Sequence, residues 1–327
     1  MEFDKSKIKT LPLSERESKS SLDVMTNPDE IPKPSRNLEK IIYISSKIKQ
    51  ARKNNKPVIM FFGAHLIKNG LSLVLNNMIK ENYLTHLTTN GAGSIHDWEF
   101  AYQGETEEDV RYYVKKGQFG LWEETGKYIN LALIEGAKNN LGYGEAIGKL
   151  ISSEKLKEEI IKHPYKEFSV QEAAYHYKIP FTVHSCLGQD IIHEHPLCDF
   201  EAIGKTSGID FYKFVNSVSN LEGGVYLSIG SAITSPMSFE KALSMARNVA
   251  FQENRKIEDF LIVINDIQNS RDWDWKSEKE PSKNDPAYYL RFCKTFSRMG
   301  ARELHYIQED NSVFLTNLYY ELKKLNV

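Results

Sequence analysis

Three short segments of this sequence combine glycine with small or polar neighbours, a composition suited to binding through the backbone. They are Gly63-Ala64-His65, Thr89-Asn90-Gly91-Ala92-Gly93 and Gly230-Ser231. Glycine permits close approach of a backbone to a ligand, and the N–H groups that begin a following helix attract phosphate. Together the segments predict a nucleotide-type pocket. The standard dinucleotide pattern G-x-G-x-x-G is absent.

A dense polar cluster follows the second of these segments. His96, Asp97 and Glu99 lie within four consecutive positions. A histidine beside a carboxylate can act as a general base, and carboxylates attract cationic substrates. The alternative interpretation is a solvated turn in which His96 caps the local backbone.

Histidines and thiols form a second cluster, comprising His184, Cys186, His193, His195 and Cys198. These side-chain types bind zinc, but their spacing matches no closed zinc motif. We therefore predict a polar loop near the pocket and no metal, while a metal-dependent hydrolase that uses His184, His193 and His195 remains the least favoured alternative.

The segment 269–285 has an irregular, charged composition typical of a mobile surface loop or a lid. Within it, Trp273 and Trp275 are flanked by Asp272 and Asp274. Aromatic faces and carboxylates both attract ammonium groups, so this stretch is a candidate cation-binding patch. The alternative is a loop that its tryptophans anchor.

Apolar runs that suit buried strands alternate with segments of helical spacing along the chain. The strand-like runs are 58–62, 84–89, 180–183, 225–229, 260–264 and 304–307, and the helical segments include 38–55, 66–80, 126–140, 145–161, 211–219, 238–251 and 313–324. This alternation predicts an α/β fold with a doubly wound, mainly parallel sheet. We expect a flexible N-terminal arm over 1–37 and a single domain over 38–327.

Composition narrows the class of protein further. Of the 327 residues, 41% are hydrophobic and 26% are charged, and the formal net charge is −2. These values suit a globular protein with no basic field for nucleic acid or anionic membranes. Three cysteines, no apolar run after the N-terminal charges and no stretch of roughly 18 apolar residues predict a cytoplasmic protein.

The order of these segments resembles the deoxyhypusine synthase family over roughly residues 57–320. The resemblance rests on Phe62-Gly63-Ala64-His65 continuing to Leu71, on His86 to Gly93 followed by Asp97, on Gly230-Ser231-Ala232 and on Glu309-Asp310. It implies a Rossmann-like homotetramer that uses NAD and a small-molecule amine substrate. Members oxidise spermidine, capture the aminobutyl group on a lysine as an imine, and pass it to an acceptor amine.

The resemblance also implies roles for particular residues. The NAD site would be lined by Gly63, Ala64, His65, Thr89, Asn90, Gly91, Ala92, Gly93, Gly230, Ser231, Asp266 and Glu309. Asp97, Glu99 and Asp310 would bind the cationic substrate, and His96 or His184 would be the base. The family's lysine lies in a Trp-Gly-Lys segment. Lys294 is the near candidate for it in this chain, although it is out of register. An arginine could not replace this lysine, because a guanidinium stays protonated and is a poor nucleophile.

Two functions of different classes therefore stand. The first is a deoxyhypusine synthase-like, NAD-binding transferase that moves an aminobutyl or related alkyl group between amines. The second is a non-catalytic nucleotide-binding protein that kept the fold and lost the lysine.

Overall fold

The computed structural model describes residues 3–270, 274 and 279–324. The chain divides into two compact units. The first comprises Met1–Thr26, Ile67–Asn76 and Thr89–Phe211, and the second comprises Asn27–Leu66, Asn77–Thr88 and Tyr212–Val327. The organisation expected from the sequence, an arm over 1–37 followed by one domain, stays a prediction.

Six strands form the main sheet. They are β1 (Val58–Phe62), β2 (His86–Asn90), β3 (Phe181–His184), β4 (Val225–Ile229), β5 (Leu261–Asp266) and β6 (Glu303–Gln308). Their order is β6-β5-β4-β1-β2-β3, and the pairs β6–β5, β5–β4 and β4–β1 are parallel. The order therefore reverses between β1 and β4, as in doubly wound sheets. The predicted α/β, Rossmann-like fold is confirmed.

Helices occupy most of the connections between these strands. They are α1 (Leu38–Lys53), α2 (His65–Lys68), α3 (Ser72–Lys80), α4 (Gly91–Gln103), α5 (Val110–Lys115), α6 (Glu123–Lys138), α7 (Tyr143–Ser153), α8 (Val170–His176), α9 (Phe200–Val218), α10 (Thr234–Gln252), α11 (Lys294–Ser297) and α12 (Asn311–Lys324). Short 3-10 turns add Lys5–Lys7, Leu13–Glu15, Leu22–Val24, Lys166–Phe168, Ile191–Glu194 and Pro286–Cys293. Among the described helices, none is long and apolar enough to cross a membrane.

Several helix boundaries differ from those predicted. The segment 66–80 is broken at Gly70, whose φ of +75° lies in the left-handed region. The expected helix over 145–161 ends at Ser153, because Glu154 also adopts a left-handed conformation. Helix α10 begins at Thr234 rather than at the predicted position 238, and it accommodates Pro236 in its first turn, where proline needs no N–H partner.

The glycine-rich segment after β2 is the first turn of α4. Asn90 is the N-cap, and its Oδ1 accepts a hydrogen bond of 2.9 Å from the backbone N–H of Gly93. Asparagine is a favoured N-cap because its side-chain oxygen satisfies an N–H that the helix leaves free. The polar cluster that follows is therefore helical, and Asp97 and Glu99 are buried.

The N-terminal residues of the first unit pair with the rest of that unit. Ser20–Ser21 forms a short antiparallel pair with Glu105–Thr106, and the N–H of Leu11 donates to Leu121. The Arg16 guanidinium forms a 2.7 Å ion pair with Glu99, and both side chains are 1% exposed. Backbone hydrogen bonds and ion pairs require no apolar periodicity, so the sequence pattern does not signal these contacts.

Candidate functional site

The ends of β1 and β4 meet in the second unit, at the point where the strand order reverses. Gly63 follows β1, and its N–H donates to the carbonyl of Ile229 at 3.0 Å. A Cβ on Gly63 would overlap the carbonyl oxygen of Gly230, which follows β4. Only glycine at position 63 allows the two backbone segments to approach this closely. Ligands of doubly wound sheets bind beyond such a reversal.

Two asparagines lie next to Gly230. The N–H of Gly230 donates to the carbonyl of Asn265 at 2.9 Å. Gly230 has a φ of +59°, and a Cβ there would lie 2.6 Å from Nδ2 of Asn311. We did not predict a role for either asparagine from the sequence. Their position in the chain could have indicated a role, because Asn265 lies near the carboxyl end of β5 and Asn311 follows β6.

Ser231 continues the turn after Gly230. Its Oγ accepts a hydrogen bond of 3.2 Å from the N–H of Ser235 in the first turn of α10. The hydroxyl of Ser235 is in turn bonded to those of Tyr226 and Ser228, at 2.9 and 2.8 Å. This buried hydroxyl chain fixes the start of α10. On the neighbouring strand, Ala64 and His65 follow Gly63 and lead into α2.

Glu309 and Asp310 follow β6 in the same unit, and both carboxylates have protein partners. Glu309 accepts hydrogen bonds from Ser35 at 2.5 Å and from Asn37 at 2.8 Å. Asp310 accepts from the N–H of Ser312 at 2.8 Å, at the start of α12. These contacts therefore occupy the carboxylate predicted to bind NAD, that of Glu309, and the one predicted to bind an amine, that of Asp310.

Asp266 ends β5 and is buried. Its carboxylate accepts a 3.0 Å hydrogen bond from the N–H of Gln268. Burial raises its pKa above the ordinary value, and backbone N–H groups oppose that rise. A buried carboxylate of this kind gains most from a cationic or hydrogen-bond-donating partner.

Lys294 begins α11, in the second unit. Its ammonium forms an ion pair with the carboxylate of Glu280. Lys294 also holds the pKa of Glu280 below its ordinary value. To act as a nucleophile, Lys294 would first have to be released from this ion pair.

In the first unit, Asp97 caps helix α8. Its carboxylate accepts hydrogen bonds from the hydroxyl of Ser169 at 2.6 Å and from the N–H of Val170 at 2.7 Å. It also accepts from the backbone and side chain of Gln171, at 3.2 and 3.0 Å. Burial raises its pKa against the effect of these donors. Ser169 is the N-cap of α8 and donates a hydrogen bond from its hydroxyl to Asp97.

Glu99 lies at the centre of a buried network. Besides Arg16, its carboxylate accepts hydrogen bonds from Thr106 at 2.5 Å and Thr125 at 2.8 Å. Burial disfavours its ionised form, but Arg16 overrides burial and lowers the pKa of Glu99. His96 shares the hydroxyl of Thr106 at 2.7 Å.

The two candidate bases are both weak. Burial lowers the pKa of His96 to about 4, and burial also lowers the pKa of His184, at the end of β3, to about 4. Both imidazoles are therefore neutral at pH 7. A general base works best when its pKa lies near the working pH, so these values limit proton abstraction by either ring.

A carboxylate approaches the N-terminus of α4. A Cβ on Gly91 would overlap the carboxylate of Asp190, and a Cβ on Gly93 would overlap the hydroxyl of Thr89. Burial raises the pKa of Asp190 to about 6. An anion that binds at Gly91 would thus meet a second negative charge at neutral pH, so the turn is less open to phosphate than its glycines indicate.

His193 and His195 have separate roles. Nδ1 of His193 accepts hydrogen bonds from the N–H groups of Gly188 and Asp190, both at 3.2 Å. Nε2 of His195 lies 3.4 Å from Glu123. The described part of the chain contains no group of three side chains arranged to hold a metal ion. The hydrolase alternative therefore lacks a ligand set there.

The proposed aromatic patch falls largely outside the described residues. Asp272, Trp273 and Trp275 are among the positions that the structure leaves undescribed. The lid and the cation-binding patch both stay predictions.

Comparison with known proteins gives similarity of fold. No protein-family model matches the chain, and no curated protein matches it. Among solved structures, the arginine dihydrolase ArgZ of the cyanobacterial ornithine-ammonia cycle matches with 14% identity and a TM-score of 0.51. That match covers 89% of this chain, which spans 34% of the ArgZ chain.

Two further structures share the fold. AgrE in complex with ornithine and NAD+ has 15% identity and a TM-score of 0.50, covering 91% of this chain and 34% of AgrE. A conserved putative LOR/SDH protein from Methanococcus maripaludis S2 has 16% identity and a TM-score of 0.51, covering 98% of this chain and 75% of its own. At these identities the likeness is one of fold.

A putative deoxyhypusine synthase from Entamoeba histolytica also matches. It has 10% identity and a TM-score of 0.40, covering 71% of this chain and 78% of its own. A likeness at that TM-score carries no argument, so the family resemblance stays a prediction.

Proposed function

We propose that this chain is an NAD-binding enzyme that acts on an amine-bearing substrate. The observation that carries the proposal is the contact of Gly63 with Gly230 at the reversal between β1 and β4, where doubly wound sheets bind dinucleotides. The fold of AgrE, a protein solved with ornithine and NAD+, supports the same assignment.

The residues at this corner fit a dinucleotide. Gly63, Ala64, Gly230 and Ser231 present backbone without bulky side chains, and two buried amide oxygens beside them lack donors among the described residues. When bound, NAD supplies a hydride acceptor. The chain's own part is to bind and orient, and Asp266 is the carboxylate we assign to the substrate ammonium or to its proton.

The finer proposal is transfer of an aminobutyl or related alkyl group between amines, as in the deoxyhypusine synthase family. It requires a nucleophilic lysine, and Lys294 is our candidate. The pairing of Lys294 with Glu280 means that this lysine must first be released. Homo-oligomerisation, as a tetramer, belongs to the same proposal.

Calorimetric titration with NAD tests the first level of the proposal. We expect saturable binding, whereas no heat of binding at millimolar NAD would contradict a dinucleotide site. Incubation with NAD and spermidine, putrescine or ornithine then tests chemistry through the absorbance of NADH. If Lys294→Ala leaves an observed transfer unchanged, Lys294 is not the nucleophile, and Lys283→Ala serves as the matched control.

The second candidate is a non-catalytic nucleotide-binding protein. The ion pair that engages Lys294 with Glu280 favours it. It predicts that NAD binds but that no amine produces NADH, an outcome that the same two assays distinguish from catalysis.

A further inference from the structure

Asn265 has a buried amide whose orientation is fixed. Its Nδ2 donates to the carbonyls of Ile307 and Glu309, at 3.1 and 3.0 Å. Because Nδ2 faces these two carbonyls, Oδ1 faces away from them. The residue is 1% exposed. This Oδ1 receives no hydrogen bond from the described residues. Buried acceptors normally have a donor, so this oxygen needs one.

Asn311 presents a second such oxygen. It is the first residue of α12, it is 8% exposed, and its Oδ1 likewise has no donor in the described part of the chain. Its amide lies against Gly230, and the N–H of Gly230 is bonded to the carbonyl of Asn265. Both asparagines therefore adjoin the same corner of the second unit.

The chemistry of this corner selects the group that it can bind. Two buried amide oxygens disfavour a phosphate, because both are acceptors. An apolar group would leave the oxygens unsatisfied. A neutral hydroxyl or amino donor satisfies them at no electrostatic cost.

We propose that the amide oxygens of Asn265 and Asn311 form an acceptor subsite for a hydroxyl or amino group of bound NAD. This inference rests on the proposed function and deepens it. NAD has such donors in both halves: ribose hydroxyls and the adenine amine in one, ribose hydroxyls and the carboxamide in the other. The shared chemistry is donation to a buried amide oxygen.

Asn311→Ala is the variant that tests the subsite, because it leaves the bridges of Asn265 intact. Loss of about one hydrogen bond predicts roughly five- to tenfold weaker binding of NAD by calorimetry. Asn317→Ala is the matched control on the same helix, since Asn317 instead bonds the carbonyls of Lys33 and Val313. The control should keep the affinity of the wild type.

Titration with ADP-ribose and with nicotinamide mononucleotide identifies the half that donates. We expect Asn311→Ala to weaken one fragment and spare the other. Affinity for NAD within twofold of wild type, equal loss for both fragments, or an equal loss in Asn317→Ala would each overturn the subsite. Failure of the wild type to bind NAD would instead overturn the proposed function itself.

Discussion

At the residue scale, the most consequential side chain is Asp190, because its carboxylate lies against the N-terminus of a helix yet is hard to ionise. The helix dipole favours the anion there, whereas burial disfavours it, and burial prevails, with a pKa of about 6 against an ordinary 3.8. A carboxyl group with a raised pKa binds its proton more tightly in the folded state. It therefore costs stability as the pH rises through that interval.

Asp190→Asn should consequently stabilise the protein near neutral pH. We expect the free energy of unfolding to rise by about 1–3 kcal/mol near pH 8, and the gain to vanish at about pH 2, below both pKa values, where the wild-type carboxyl is protonated in both states. Urea denaturation at the two pH values measures this. Asp23→Asn changes an exposed carboxylate and is the control. A gain independent of pH would contradict the argument.

The two glycines at the reversal of the sheet give a second prediction. In Gly63→Ala, the new methyl group would overlap the backbone carbonyl of Gly230. We expect a loss of roughly 1–3 kcal/mol in unfolding free energy from overpacking. The control is Gly204→Ala in α9, where a Cβ meets nothing within 4 Å and helix propensity improves. Equal stability of the two variants would contradict the close contact.

At the scale of elements, a buried ion pair between Arg16 and Glu99 ties the N-terminal residues to α4, in addition to the burial of Leu13. Removing one partner of such a pair leaves the other charge uncompensated, which is far costlier than losing an exposed pair. Arg16 is the clearest case, because Glu99 also relies on it for its lowered pKa.

Arg16→Met should therefore cost about 3–5 kcal/mol of unfolding free energy. Glu99→Gln in the same protein should recover much of the loss, because it removes the stranded charge. Arg255→Met breaks only the exposed pair with Glu253 and should cost less than about 1 kcal/mol. Chemical denaturation measures all three, and a small effect of Arg16→Met would show that this pair does not hold the N-terminal segment.

The start of α4 gives a prediction of its own. Asn90→Ala removes the cap on the N–H of Gly93 and should cost about 1 kcal/mol, whereas Asn90→Ser should retain most of the stability. Thermal unfolding compares the two variants. An equal loss of stability in Asn90→Ala and Asn90→Ser would mean that the loss does not come from the cap.

At the scale of the whole molecule, ligand binding should be visible in global stability. A ligand that binds the folded state alone stabilises it by about 2.7 kcal/mol at a hundred times its Kd. We therefore expect the melting temperature to rise with NAD concentration and to stay unchanged with nicotinamide alone. An unchanged melting temperature at saturating NAD would contradict the proposed cofactor.

The sequence by itself determined the strands and the class of fold. Val58–Phe62 and Val225–Ile229 agree with the predicted runs residue for residue, because strands buried on both faces are mainly apolar. The alternation of such runs with helices then permits few sheet arrangements other than a doubly wound one. The glycines at positions 63 and 230 also indicated correctly where β1 and β4 end.

Only the tertiary structure decided what each polar side chain contacts. Asp97 and Glu99 bond to Ser169 and Arg16, which are 72 and 83 positions away in the chain. Neither spacing nor residue type records such a partner, because burial and hydrogen bonding depend on how distant segments pack. The same reason hid Asn265 and Asn311, whose amide oxygens gain significance only because the fold buries them with no donor among the described residues.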